Sequence, residues 1–194
     1  MVHSDLDVNT WIETPPSVER ARPKQCPCCG KAGWPAGAGL GLWGHGVRAR
    51  QVRGPRAPGQ SATVVTIEAR RYQCRGCGAI VTVLPRGLVA RRHYAAAAIG
   101  LALLLVGVLG KRLLEVRRRV CAWQSSFEAG EWAEPRRWLR AIEQGGLFAA
   151  LRASPPEWTM RQRAERAAMT LVAMAPPPVE DMEAAVMLGA AQAA

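Results

Sequence analysis

Apolar and polar positions change their period along the chain, and the changes divide it. From Met1 to Gln25 neither a two-residue nor a 3.6-residue period is sustained, and Pro15, Pro16 and Pro23 interrupt the stretch, so residues 1–25 read as a flexible N-terminal tail. Between Ala32 and Ser61, Gly and Pro are too dense for long regular elements and leave room for one short strand around Leu40 to Arg53. The run Ala62 to Gln73, "ATVVTIEARRYQ", is rich in β-branched residues, with Val64, Thr66 and Glu68 alternating with Val65, Ile67 and Ala69, which predicts a strand. After a tight turn at Cys74 to Gly78, "AIVTVLP" resumes that pattern until Pro85 ends it, and the two strands are expected to pair as a hairpin.

Beyond Arg92 the period lengthens. Seventeen consecutive residues from Tyr94 to Gly110 carry no charge, between Arg91, Arg92 and His93 on one side and Lys111 and Arg112 on the other. A spanning helix needs about 20 apolar residues. This run is shorter, rich in Ala and interrupted by Gly100, Gly107 and Gly110, so it predicts a buried core helix in preference to a single membrane span. Lys111 to Ala122 follows as an amphipathic helix, with Leu109, Leu113, Val116 and Val120 on one stripe and Lys111, Glu115 and Arg118 facing away. Pro135, suited to a first helical position, opens a third helix that Gly145 and Gly146 stop. It places Trp138 and Ile142 on one side and Arg136, Arg137 and Arg140 on the other. Further helices are expected from Glu157 to Ala175 and from Val179 onward, separated by Pro176, Pro177 and Pro178. The expected fold class is α+β: a flexible tail (1–25), a small β module with a long basic loop (26–93), a helical region (94–150) and C-terminal helices of unassigned role (151–194).

Charge sharpens this division. The formal net charge is +11, and residues 45–93 alone hold ten Arg against the single acid Glu68, a net +9. Residues 111–119 add +4, whereas everything after Val120 sums to −2. A block so one-sided calls for a polyanionic partner, and nucleic acid is the commonest, because each Arg that neutralises a phosphate releases condensed counterions. Anionic lipid is the second such partner. The first 25 residues lack the apolar run of a secretory signal, which points to the cytoplasm. In that reducing setting, closely paired cysteines indicate metal or catalysis before structural disulfides.

Two cysteine knuckles stand out, "CPCCG" at 26–30 and "CRGCG" at 74–78, each with two residues between its outer thiols and a Gly directly after. Zinc takes four soft ligands in a tetrahedron, and Cys-x-x-Cys lets one turn present two thiolates to the same ion. Cys26, Cys29, Cys74 and Cys77 are therefore the expected ligands of one structural Zn2+, although 44 residues separate Cys29 from Cys74. A dithiol redox pair would normally open a helix, whereas "CRGCG" falls in a hairpin turn. Cys28 receives no role, Cys121 reads as a small core residue, and His3, His45 and His93 read as surface or tail positions.

The order of a CPxCG-like knuckle, a basic loop, "RRYQCRGCGAIVTVLP" and "RRHY" before an apolar helix resembles transposase-associated zinc-ribbon proteins of bacterial mobile elements, over roughly residues 26–145. That resemblance implies a zinc ribbon followed by a helix-turn-helix-like region, DNA as partner, and a separate transposase as a further one; it implies no catalytic residue. The interval between the helices ending near Ala122 and starting near Pro135 is longer than a regular helix-turn-helix allows. The chain itself argues against an enzyme, since its only Asp residues are Asp5, Asp7 and Asp181 and two-metal phosphoryl transfer needs clustered carboxylates. The expected function is a zinc-dependent, non-catalytic DNA-binding accessory protein. Arg48, Arg50, Arg53, Arg70, Arg71, Arg75, Arg91 and Arg92 would meet phosphate, and Arg136, Arg137 and Arg140 would enter a groove. The alternatives are a membrane-anchored zinc-ribbon protein spanning with Tyr94 to Gly110, and an adaptor docking protein or RNA through its seven Trp, most of which read as packing residues.

Overall fold

The computed structural model describes residues 1–37, 39–123, 132–179 and 181–194, and shows a mixed α+β chain. The expected interval between helices at 124–131 lies outside the described residues, as do Ala38 and Glu180. Two compact units form, one from Met1–Gln51 with Thr66–Arg86, the other from Val52–Val65 with Gly87–Ala194. They do not follow the boundaries drawn from the sequence at 25, 93 and 150.

The first unit is built on a sheet. Strands β1 (Val2–Asp7), β2 (Leu42–Arg53), β3 (Val64–Cys74) and β4 (Ile80–Arg86) lie in the order β1-β4-β3-β2. The expected hairpin is present: β3 and β4 are antiparallel, with Arg70 opposite Val83 and Gln73 opposite Ile80. Pro85 does not end β4, which continues to Arg86.

The N-terminal segment corrects the tail assignment. Val2, Ser4 and Leu6 turn toward the protein, and β1 pairs in parallel with β4, Val2 opposite Val83. Helix α1 (Val8–Glu13) follows at once because Asp7 caps it, accepting hydrogen bonds from the Asn9 and Thr10 amides at 2.9 and 3.0 Å. Trp11 on α1 is fully buried and donates its indole N–H to the Glu68 carbonyl at 3.2 Å. Residues 14–22 are clasped as well, since the Tyr72 hydroxyl donates to the Val18 carbonyl at 2.6 Å and the Arg70 guanidinium donates to the Pro16 carbonyl at 3.0 and 2.8 Å. Burial of the two aromatic rings, on the order of 2 kcal/mol each, offsets part of the entropy of holding a short strand that has little propensity of its own.

The second unit is helical and centred on α2 (Ala96–Gly107), every residue of which is buried. This is the core helix the uncharged run predicted, and among the described residues no helix is long and apolar enough to cross a membrane. Helices α5 (Met160–Ala173) and α6 (Met182–Ala193) pack on α2 and on each other. Their approach depends on residues without side chains: a Cβ on Gly107 would lie 2.1 Å from the Glu165 amide nitrogen, and one on Gly189 would lie 1.8 Å from the Leu171 carbonyl oxygen. Gly107, which the sequence presented as an interruption of an apolar run, is thus a contact point between helices. Helix α3 (Leu113–Val120) lays Val116 and Val120 on α2, while Leu109 of the expected stripe is exposed. Helix α4 (Glu134–Glu143) buries Trp138, Leu139, Ala141 and Ile142 and packs on α2 and α5. The region is organised around α2 with α5 and α6, and the connection between α3 and α4 on which the helix-turn-helix-like expectation turns lies outside the described residues. The C-terminal residues left without a role supply α5 and α6 to that core.

Candidate metal centre and basic side chains

The two knuckles fold as copies of one turn. In the first, the Cys26 amide donates to the Lys31 carbonyl at 2.8 Å and the Gly30 amide donates back to the Cys26 carbonyl at 2.9 Å. In the second, Cys74 donates to Ala79 at 3.0 Å and Gly78 to Cys74 at 2.9 Å. Gly30 and Gly78 close these turns at φ +71° and +72°, a left-handed conformation that explains the Gly after each knuckle. The two turns also aim matching amides at their first sulfurs, Cys28 to Cys26 Sγ at 3.4 Å and Gly76 to Cys74 Sγ at 3.3 Å. The trailing Gly itself serves the backbone, and the residue after it, Lys31 or Ala79, turns its amide to the second sulfur of the knuckle.

Folding β3 against β4 and closing the loop over residues 30–41 brings the turns face to face. The Cys26 and Cys77 sulfurs lie 3.8 Å apart, those of Cys29 and Cys74 3.6 Å apart, and all four lie within 4.8 Å of one another. Four sulfurs about 2.3 Å from a common ion at tetrahedral angles would be about 3.8 Å apart. Both close pairs match that edge and are far too long for a disulfide, and all six cysteines are free thiols. The donor set can therefore hold a metal ion. Cys26 and Cys74 are buried, whereas Cys29 and Cys77 are exposed.

The thiols also feel one another. Backbone hydrogen bonds from Cys77, then from Gly76, overcome burial and bring Cys74 down to about 6. At Cys77 the Ala79 amide pulls downward, but burial and the facing thiols of Cys29, Cys74 and Cys26 push the group up to about 12. One sulfur ionises readily and its neighbours then resist, which a cation among them would reverse. Cys28 is exposed and outside the cluster, and Cys121 belongs to the other unit, where its Sγ lies 3.5 Å from the Trp123 carbonyl.

The eleven arginines assigned to nucleic acid are not gathered on one surface. Arg48, Arg50, Arg70, Arg71 and Arg75 belong to the first unit, and Arg53, Arg91, Arg92, Arg136, Arg137 and Arg140 to the second. Arg48 and Arg75 are exposed, Arg50 and Arg71 are half-buried, and Arg70 is engaged by the Pro16 carbonyl. Arg136, Arg137 and Arg140 project from α4 opposite its buried face, as the helical spacing predicted. Arg53, Arg91, Arg92 and Arg137 line one cleft of about 200 Å³.

Sequence reading missed what the tryptophans do. Trp11 and Trp138 are fully buried, yet Trp34, Trp43 and Trp123 are exposed and each lies under a guanidinium: Arg22 at 4.5 Å, Arg75 at 4.6 Å and Arg53 at 4.4 Å from the ring centroid. The signal was present for two of them, since "GWPAG" and "LWGHG" place Trp among turn residues where no core period exists.

Against protein-family models, curated proteins and solved structures, the chain finds no match. The motif resemblance to transposase-associated zinc ribbons therefore stands on the residues quoted above alone.

Proposed function

We propose that this chain is a zinc-stabilised nucleic-acid-binding protein whose first unit is knotted by one structural Zn2+ on Cys26, Cys29, Cys74 and Cys77. More particularly, it is a non-catalytic DNA-binding accessory of a bacterial transposition system, leaving strand chemistry to a separate transposase. The observation that carries the first step is the pair of equivalent knuckles whose sulfurs are spaced at 3.6 and 3.8 Å, the edge of a zinc tetrahedron. DNA as the partner is supported by the charge of residues 45–93 and by exposed Arg136, Arg137 and Arg140 on one helix face, where an α-helix suits a major groove. A non-catalytic role fits the employment of all three Asp side chains: Asp7 and Asp181 cap α1 and α6, and Asp5 pairs with Arg20 at 3.0 Å.

The test is metal content on protein purified without added metal, followed by duplex-DNA affinity across a salt series. One zinc per chain, loss of β structure on chelation and an affinity that falls steeply with salt are expected. A folded chain without metal would overturn the zinc assignment, and affinity indifferent to salt would overturn the phosphate-contact assignment.

A further inference from the structure

The fold encloses Trp11 and Trp138 completely, yet it leaves Trp34 and Trp43 of the first unit 57% and 49% exposed. Both rings are held in place. The Gly33 amide donates to the Lys24 carbonyl at 2.7 Å, and a Cβ there would lie 2.2 Å from the Pro23 carbonyl oxygen, so the segment before Trp34 is pressed onto residues 22–24. Arg22 thereby reaches Trp34, its guanidinium 4.5 Å from that ring centroid and 5.9 Å from that of Tyr72. The Gly41 amide donates to the Gly33 carbonyl at 3.0 Å, which ties the Trp34 segment to the start of β2, and the Gly41 carbonyl accepts from the Arg75 amide at 2.9 Å. Trp43 is then fixed twice: its indole N–H donates to the Leu40 carbonyl at 2.9 Å, and the Arg75 guanidinium lies 4.6 Å from its ring centroid. A recess of about 440 Å³ opens beside it, lined by Gln73, Cys74, Arg75 and Gly78.

Each ring thus rests against a cation and presents the rest of its surface to solvent in a set orientation. Charge decides what suits such rings. Residues 20–51 and 69–86, which carry both tryptophans and both knuckles, hold ten Lys or Arg and no Asp or Glu. The carboxylates of the first unit are confined to residues 5–19 and to Glu68, and two of them are engaged, Asp5 by Arg20 and Asp7 by the α1 cap. A Zn2+ on four thiolates would offset only two of the positive charges. Exposed Lys31, Arg48 and Arg75 form no ion pair among the described residues. An apolar partner would cover the rings and leave these cations unmatched. A polyanion that also offers flat aromatic faces meets both, and in nucleic acid those faces are accessible only where bases are unpaired, because a duplex stacks each base on its neighbours.

We infer that the first unit binds a single-stranded stretch of DNA, with Trp34 and Trp43 each stacking an unpaired base and Lys31, Arg48 and Arg75 meeting the phosphates that flank them. This inference rests on the nucleic-acid reading above and deepens it, since it assigns unpaired bases to the metal-bearing unit and leaves the duplex to α4.

The experiment measures binding of the full-length protein to a fluorescently labelled single strand and to the blunt duplex of the same sequence, by anisotropy. Trp34→Leu/Trp43→Leu is expected to weaken the single strand at least tenfold and the duplex less than twofold, and Trp34→Phe/Trp43→Phe, which keeps a ring at each place, should recover most of the loss. Unchanged single-strand affinity in the Leu variant, equal weakening of strand and duplex, or a parent chain that binds only the duplex would overturn the stacking site while leaving DNA binding intact. Failure of the parent to bind either form would overturn both readings. Hydroxyl-radical footprinting of the unmodified chain, read by mass spectrometry, keeps the test independent of the variants' folding: a saturating single strand should protect Trp34 and Trp43, and a bound strand that leaves both rings reactive would overturn the inference.

Discussion

Replacing Gly107 by Ala sets two effects of opposite sign against each other at one atom. In a helix interior Ala is about 1 kcal/mol better than Gly, and Gly107, the last residue of α2, gains at most that, so propensity alone makes the change favourable. The added Cβ would stand 2.1 Å from the Glu165 nitrogen, 2.5 Å from its Cα and 2.6 Å from the Ala164 carbonyl carbon. Ordinary contact begins near about 3.5 Å, so α5 must retreat from α2 by roughly 1 to 1.5 Å. All three atoms are backbone, so no rotamer change can clear them. The retreat loosens Ala164, Ala167, Ala168 and Leu171, which are buried along α5. Overpacking of this kind costs about 1–3 kcal/mol, and a rigid backbone obstacle places it at the upper end. With the propensity gain set against it, a net loss of about 2 kcal/mol is expected. Urea unfolding followed by far-UV circular dichroism should show a lower midpoint with an unchanged slope. A midpoint equal to or above that of the parent chain would refute the close approach of α2 and α5.

Two further predictions concern the first unit. Tyr72→Phe removes the 2.6 Å bond to the Val18 carbonyl at a fully buried ring and should lower stability by about 1–2 kcal/mol, read by thermal unfolding; an unchanged midpoint would mean residues 14–22 are not clasped to β3. Asp7→Ala should cost about 1 kcal/mol at neutral pH through loss of the α1 cap. Burial alone would raise the Asp7 pKa, but bonds from Thr10 and Asn9 outweigh it and hold the carboxyl below its ordinary value of 3.8. A folded-state pKa lowered in this way stabilises above 3.8 and loses that contribution as pH falls through the folded value, so Asp7→Asn should flatten the acid limb of the stability profile. Parallel acid limbs for the two proteins would count against the cap.

What could be read without coordinates was whatever repeats locally. The β3–β4 hairpin follows from alternating β-branched residues around a Gly-containing turn, α2 from an uncharged run too short for a membrane, and the metal cluster from two knuckles of identical spacing. Long-range pairing was invisible: β1 has one Val and one Leu among polar residues, and only its parallel partner β4, some eighty positions away in the chain, makes it a strand. The same holds for the cleft, whose walls come from residue 53, residues 91–94 and residues 134–138, three places that share no pattern. Arginine count was legible and arginine employment was not, since Arg70 serves a backbone carbonyl and Arg53 and Arg75 cover tryptophans.

The separation of the knuckles sets an order of events during synthesis. Cys26 and Cys29 emerge with 44 residues still to come before Cys74, and β1 emerges without the strand that will pair it. Until Cys77 has been made the growing chain holds an incomplete coordination sphere, and until β4 ends at Arg86 it holds an unpaired strand, while residues 52–65, which belong to the other unit, are already outside. Contacts so distant in sequence form slowly. The first unit therefore cannot close before its last strand has been made.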